Sequence, residues 1–329
     1  MLDAYAAGLT VDTDKSRYYA QDCYYRETVQ QLSGWDPDER RRMLVTRSYL
    51  LFKPEALVAR KVGPTLEYLA ERGIEANYAA SVFFSRSTLR SLWWYQLNAA
   101  PLTIVRACDL LINDWEMLFV GFVDHKADPD AAPEDSAARR LSDLKGSSRD
   151  IGKGLGLLRD ELGCTTTCLN FIHAPDEPAD VVREVGVLFD RPSRDELFSA
   201  LGAPADPDTV YRAVEAAYAR NREVDLELEP CLHRLRAAAG PADQPYVAGI
   251  DAAIASSEDD YDDRLTLVEW LCQTEIVSRW DRAIIAAHVT GMERADIMPM
   301  IGPPPGIRHE FRKAEVAEKQ ARIAARVPN

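Results

Sequence analysis

The sequence predicts an α+β protein, a sandwich with one helical face followed by a region made of helices alone. Two observations carry this. Up to about residue 190, short apolar runs of strand length alternate with segments of helical period, in the order strand, helix, strand, helix, strand, strand, helix. Beyond Asp190 only the 3.6-residue period survives, and Gly202-Ala-Pro-Ala-Asp-Pro207 supplies a break near the change of regime. A chain of 329 residues suits two domains of ordinary size. The divisions expected are an N-terminal extension over 1–45, a sheet domain over 46–202 and an α-helical domain over 203–329.

Residues 1–45 are polar, with Tyr18, Tyr19, Tyr24 and Tyr25 and the charge run Asp38 to Arg42, and read as one or two short docked helices. Arg47 to Phe52 is a short apolar strand stopped by Lys53-Pro54. Pro64 to Arg72 is a helix with proline in its first turn and Gly73 at its end. Ala79–Phe84 and Glu116–Val123 read as strands, with a helix over Ser87–Asn98 between them. Lys126 to Asp135, rich in Ala, Asp and Pro, is a loop; Ala137–Leu144 is helical, and 145–156 is irregular. The β-branched, apolar run Thr165–Ile172 is a fourth strand, and Pro178–Phe189 is a helix with Val181, Val185 and Leu188 on one face. Helices follow over 211–221, 226–239, 246–256, 265–288 and 310–326.

Charge and cysteine usage exclude several roles. The 39 Lys and Arg residues against 53 Asp and Glu leave a net charge of −14, which repels nucleic-acid backbones and anionic lipid. A site for one small anion is still compatible with that field, because a few arginines can be gathered in one cleft. No apolar run approaches the length of a membrane span, and Met1 to Gly8 does not read as a secretory signal, so a cytoplasmic protein is expected. Cys23, Cys108, Cys164, Cys168, Cys231 and Cys272 fit no common zinc or redox spacing and read as reduced, buried thiols.

The chemistry-bearing residues gather in the first 190 residues. Asn170-Phe-Ile-His173 ends in an imidazole at a strand terminus, and Glu184 on the next helix is placed to orient the ring. Lys53 ends the first strand. Arg139, Arg140, Lys145, Arg149, Lys153 and Arg159, with Ser147 and Ser148, concentrate positive charge, and arginine offers phosphate a planar fork. Elsewhere, Glu258 to Asp263 lacks calcium-loop spacing and reads as a solvated helix cap. His233, His288 and His309 have no ligand-spaced neighbours, His125 reads as a bystander at a strand end, and Trp270 and Trp280 read as helix core.

The combination resembles nucleoside diphosphate kinase over about residues 46–190. Strand-Lys53-Pro54, then Gly156-Leu-Leu-Arg159, Asn170-Phe-Ile-His173 and Glu184 run in that family's order. The resemblance implies a ferredoxin-like βαββαβ sandwich. It implies His173 as a phosphohistidine nucleophile, Glu184 as its orienter, and Lys53, Arg159 and Arg140 as phosphate ligands. Asn170 would meet sugar or phosphate, Ser147 would stand for a phosphate-touching hydroxyl, and Tyr95, rather than Trp93 or Trp94, would be the aromatic beside the nucleophile. ATP or another nucleoside triphosphate, bringing its own Mg²⁺, would be the donor. A nucleoside diphosphate or a specialised small metabolite would be the acceptor, and the chain would form a homo-oligomer.

Departures stand against the family pattern, among them a longer loop with Lys126 to Asp135 inserted before Arg140 and the extra helices after residue 200. His-Gly-Ser-Asp reads His173-Ala-Pro-Asp176, which removes the serine that would bond the glutamate; Lys-Pro-Asp-Gly reads Lys53-Pro54-Glu-Ala56; and the base-stacking phenylalanine has no evident match near Leu102 or Ile104. The alternatives are a nucleotide-binding scaffold without turnover and a nucleotide-dependent transferase in which His173 is a general base.

Overall fold

In a computed structural model the chain is described over residues 8–148, 151, 154–256, 261–290 and 299–301. Three helices, α1 (Thr13–Tyr19), α2 (Cys23–Leu32) and α3 (Pro37–Thr46), precede the sheet, each started by an aspartate side chain that accepts from first-turn amides. β1 (Arg47–Phe52) leads through α4 (Pro54–Val58) and α5 (Val62–Ala70) to β2 (Ile74–Phe83). Then come α6 (Arg86–Leu92), α7 (Trp94–Leu97), α8 (Leu102–Ile112) and β3 (Glu116–Asp124), and after a 3₁₀ turn at Pro133–Asp135, α9 (Ala137–Lys145) and α10 (Leu158–Glu161). β4 (Ile172–His173) and α11 (Pro178–Leu188) complete the sheet region, followed by α12 (Arg191–Gly202), α13 (Pro207–Arg220), α14 (Leu228–Ala238), α15 (Gln244–Ala255), α16 (Tyr261–Gln273) and α17 (Arg279–Val289).

The four strands form one antiparallel sheet in the order β2-β3-β1-β4, with Phe52 opposite Leu118 and Leu51 opposite His173. β1 is buried on both faces because its side chains alternate between two cores. Leu50 and Phe52 join Leu66, Leu69, Val120, Val210 and Val214; Tyr49 and Leu51 join Phe119, Val181, Val185 and Leu197. The expectation of a single helical face is therefore corrected: α5 and α13 cover one side, α11 and α12 the other. A strand buried at every position after its first requires such double cover.

Other elements also differ from the sequence reading. The helix expected over 87–98 is broken at Trp93, which closes α6 and opens α7. The helix expected over 265–288 is two, separated by residues 274–278, and Ser278 with Asp281 makes a capping box that starts α17 anew. Helices α8 and α12 have no counterpart in that reading. β2 begins five residues early and carries an irregularity between Ala76 and Tyr78. Asn77, at that irregularity, donates to the carbonyls of Ala200, Leu201 and Ala203, closing the C-terminus of α12. The fourth strand is two residues, not eight. The helix expected over 310–326 lies outside the described residues.

The later helices lean on this frame. Tyr218 of α13 accepts from the amides of Val62 and Gly63, and Arg220 pairs with Glu116 of β3. α8 carries α16 and α17, with Leu110 and Leu111 in one core with Leu267, Leu271 and Ile284. Arg279 donates to the carbonyls of Asp109, Leu110 and Asn113 at the end of α8. Among the described residues no helix is long and apolar enough to cross a membrane. All six cysteines are free; Cys164, Cys168 and Cys231 are buried, whereas Cys23 is exposed, which corrects the expectation of buried thiols throughout.

Candidate active site

His173 reaches the sheet edge through a tight turn. Phe171 has a φ of 60°, and the Ile172 amide donates back to the Asn170 carbonyl at 2.7 Å, a γ-turn at a non-glycine residue. This turn is why the strand is so short, since residues 170–172 double back where an extended run was expected. Lys53 ties the turn to the end of β1, its amide donating to the Phe171 carbonyl at 2.9 Å. Arg159 brackets it from the other side. Its guanidinium donates to the carbonyls of Asn170 at 3.4 Å, Ile172 at 2.9 Å and Gly146 at 2.8 Å, so a buried fork holds the backbone on either side of Phe171.

The imidazole sits between two partners. Nε2 lies 2.8 Å from Glu184 Oε2, and Nδ1 lies 3.3 Å from the indole nitrogen of Trp93, whose ring meets the imidazole edge-on at 5.4 Å. An indole nitrogen only donates, so Nδ1 is the acceptor and the ring proton belongs on Nε2, facing the carboxylate. Glu184 comes from the middle of α11, and the same Oε2 accepts from the Tyr49 hydroxyl on β1. Tyr49 is fully buried, and burial, then the Glu184 carboxylate, holds its phenol far above its ordinary range, so it stays a donor. Tyr49 thus gives a hydroxyl to the carboxylate that faces His173. It was missed in the sequence because a tyrosine inside an apolar strand looks like core; the signal was its polar tip at a position facing the helix of Glu184.

The remaining predicted residues divide. Lys53 is buried near the turn, with Nζ 3.2 Å from the Cys168 carbonyl and 3.3 Å from Glu55, whose carboxylate oxygens are buried without a hydrogen-bond partner. Asn170 donates to the Thr167 carbonyl at 2.6 Å, while its side-chain oxygen is buried and unpartnered. Ser147 is partly buried just beyond α9. Arg140 is not brought to His173: it pairs with Asp124 and the Arg72 carbonyl at the opposite end of the sheet. Tyr95 also turns away, its hydroxyl donating to Asp22 at 3.1 Å, and Trp93 stands at the imidazole in its place.

The first helix closes over the start of α11. Lys15 is buried with Nζ 2.8 Å from Glu177 and 2.9 Å from Asp180, and Thr10 and Tyr19 donate to the same two carboxylates. Asp176, three residues past His173, is pushed up by burial, but Lys145, Lys15 and the Ser142 hydroxyl hold it well below the usual carboxylate range. Of the bystanders, His125 bonds Glu75 and His288 bonds the Ile284 carbonyl; Glu258 and His309 lie outside the described residues. Among the described residues no group of three or more His, Cys, Asp or Glu is disposed to hold a metal ion.

Comparison with known proteins adds a limited likeness. No family model matches, and no curated protein matches. Among solved structures, the chain is similar to a nucleoside diphosphate kinase from Aquifex aeolicus at 17% identity and a TM-score of 0.35, covering 45% of this chain and 96% of that one. An apo nucleoside diphosphate kinase from Encephalitozoon cuniculi gives 18%, 0.35, 43% and 87% in the same order. A Borrelia burgdorferi nucleoside-diphosphate kinase with bound vanadate and ADP, a transition-state mimic, gives 15%, 0.35, 46% and 90%. At such values activity rests on the site's own geometry.

Proposed function

We propose that this chain transfers a phosphoryl group from a nucleoside triphosphate through His173, on a ferredoxin-like domain spanning about residues 46–202. The observation that carries the reading is the pair of contacts on the ring: Glu184, itself bonded by Tyr49, lies at Nε2 and the donor-only indole of Trp93 at Nδ1, which puts the proton on Nε2 and leaves the Nδ1 lone pair as the nucleophile. In the forward step that lone pair attacks the γ-phosphorus. The N–P bond forms as the bond to the β-phosphate oxygen breaks, and the electron pair leaves with the nucleoside diphosphate. The Nε2 proton stays against Glu184, whose charge offsets the positive charge the ring acquires. The second step returns the phosphoryl group to an acceptor oxygen, that of a nucleoside diphosphate or another small metabolite. Mg²⁺ belongs to the nucleotide substrate. Lys53 exchanges Glu55 for phosphate, Ser147 stands on the phosphate side, and the unpartnered oxygen of Asn170 suits a sugar hydroxyl. Arg159 acts by positioning the turn.

One observation favours a second reading, a nucleotide-binding scaffold without turnover: Lys53 is already paired with a buried carboxylate, and the Arg159 guanidinium donates to the backbone carbonyls of Asn170, Gly146 and Ile172. Incubation with γ-labelled ATP and Mg²⁺ separates the two. Acid-labile, base-stable label on the protein, lost in His173→Ala, supports phosphoryl transfer. Bound nucleotide with no label on protein supports the scaffold.

A further inference from the structure

We propose that Trp93 is a latch on the imidazole: its indole N–H caps the Nδ1 lone pair of His173, and the site becomes reactive only when the indole swings off. This rests on the phosphoryl-transfer reading for its consequence, while the bond itself stands on geometry. The indole nitrogen lies 3.3 Å from Nδ1, and the two rings meet edge-on at 87°. The lone pair that accepts this hydrogen is the one an electrophile must reach, so a capped nitrogen and an attacking nitrogen exclude each other. The cap also has a use. As a donor-only group it forbids a proton on Nδ1, so Trp93 selects the tautomer that Glu184 then holds.

The placement of Trp93 suits a movable part. It is the single residue between α6 and α7, at φ −103° and ψ 26°, where the helical ladder is interrupted. Its neighbour Trp94 is 59% exposed, and the ring of Phe84 lies 6.4 Å from that of Trp93. A bond of 3.3 Å is at the long end for N–H donors, so release is cheap. Losing one ordinary neutral hydrogen bond changes an equilibrium about threefold to tenfold. The latch therefore slows stray reactions at His173 modestly and yields to a bound substrate.

Trp93→Phe keeps a ring and deletes the donor. Carbethoxylation of His173 by diethyl pyrocarbonate, followed by peptide mass spectrometry, is expected to run about threefold to tenfold faster in the variant. In nitrogen-15 spectra of labelled histidine, the Nδ1 resonance moves toward an unbonded acceptor, while Nε2–H stays. An unchanged rate and an unchanged Nδ1 resonance overturn the latch. Should the variant not fold, the wild-type protein decides: a deprotonated Nδ1 with a slowly exchanging Trp93 indole hydrogen supports it, and a protonated Nδ1 or a freely exchanging indole overturns it. A protein that takes no label from ATP yet shows the Trp93-dependent change keeps the latch and loses only the phosphoryl-transfer reading.

Discussion

Tyr49→Phe is the sharpest perturbation of the proposed site, because it removes one oxygen from a fully buried side chain and little else. The ring stays stacked on Phe119 at 4.3 Å. What is lost is the donor that, with His173 Nε2, meets Glu184 Oε2. A hydrogen bond to a charged acceptor contributes about 1.5–3 kcal/mol, and the deleted hydroxyl no longer has to be desolvated, so a net loss of about 1–2 kcal/mol is expected. Equilibrium urea unfolding should show this as a lower midpoint with an unchanged slope. The decisive form is a double-mutant cycle with Glu184→Gln. If the hydroxyl acts on that carboxylate, the two changes couple by about 1 kcal/mol or more; additivity within about 0.5 kcal/mol would refute the Tyr49–Glu184–His173 chain.

Other outcomes follow from the same geometry. Lys15→Met leaves Glu177 and Asp180 buried without their cation and should cost about 3–5 kcal/mol in denaturant unfolding, with faster amide exchange in α1; a cost below 1 kcal/mol contradicts the buried pairing. Asp176 has a depressed pKa in the folded chain, so its stabilising effect is complete above the unfolded value of about 3.9 and is lost as pH falls toward the folded value. Asp176→Asn should therefore lower stability near neutral pH and flatten the acid limb below about pH 4; parallel pH profiles for variant and wild type contradict this. Gly186→Ala places a Cβ 2.6 Å from the Tyr24 carbonyl and Thr28 hydroxyl, so α2 must shift from α11 at a cost of about 1–3 kcal/mol, read as a lowered melting temperature. Arg159→Lys keeps the charge but loses the fork around Phe171, and His173 labelling should fall with it; full labelling means the turn holds without the fork.

The parts of this fold that were legible in the sequence are those where one local rule governs. β1 was readable to the residue because an apolar run ended at Lys53-Pro54, and β3 within one residue for similar reasons. α8 was not, because Leu102-Thr-Ile-Val105 mixes β-branched residues into a helical stripe, and its helical state is supported by the packing of α16 and α17. The fourth strand failed for a different reason. Thr165 to Ile172 has strand-like composition, yet the backbone at Phe171 is turned by bonds from Lys53 and Arg159, which are distant in sequence. His173 and Glu184 were visible as a spacing across one strand end and one helix, and the structure joins them. Tyr49 was not singled out, and Trp93 was weighed beside the nucleophile but set behind Tyr95, since a hydroxyl and an indole N–H acquire function here only through tertiary contact. Arg140 was grouped with the other cations by nearness in sequence, but the direction of α9 carries it to Asp124.

The central claim is that Nδ1 of His173 carries the phosphoryl group, and one measurement meets it directly. Protein exposed to Mg²⁺ and ATP, digested at neutral to alkaline pH, is sequenced by mass spectrometry, and the intact phosphoprotein is examined by phosphorus–nitrogen correlation spectroscopy. A phosphoryl group on the peptide containing His173, bonded to Nδ1 and discharged by a nucleoside diphosphate, is the predicted result. A phosphoryl group on Nε2 or on another residue, or an unmodified His173 peptide, would contradict it.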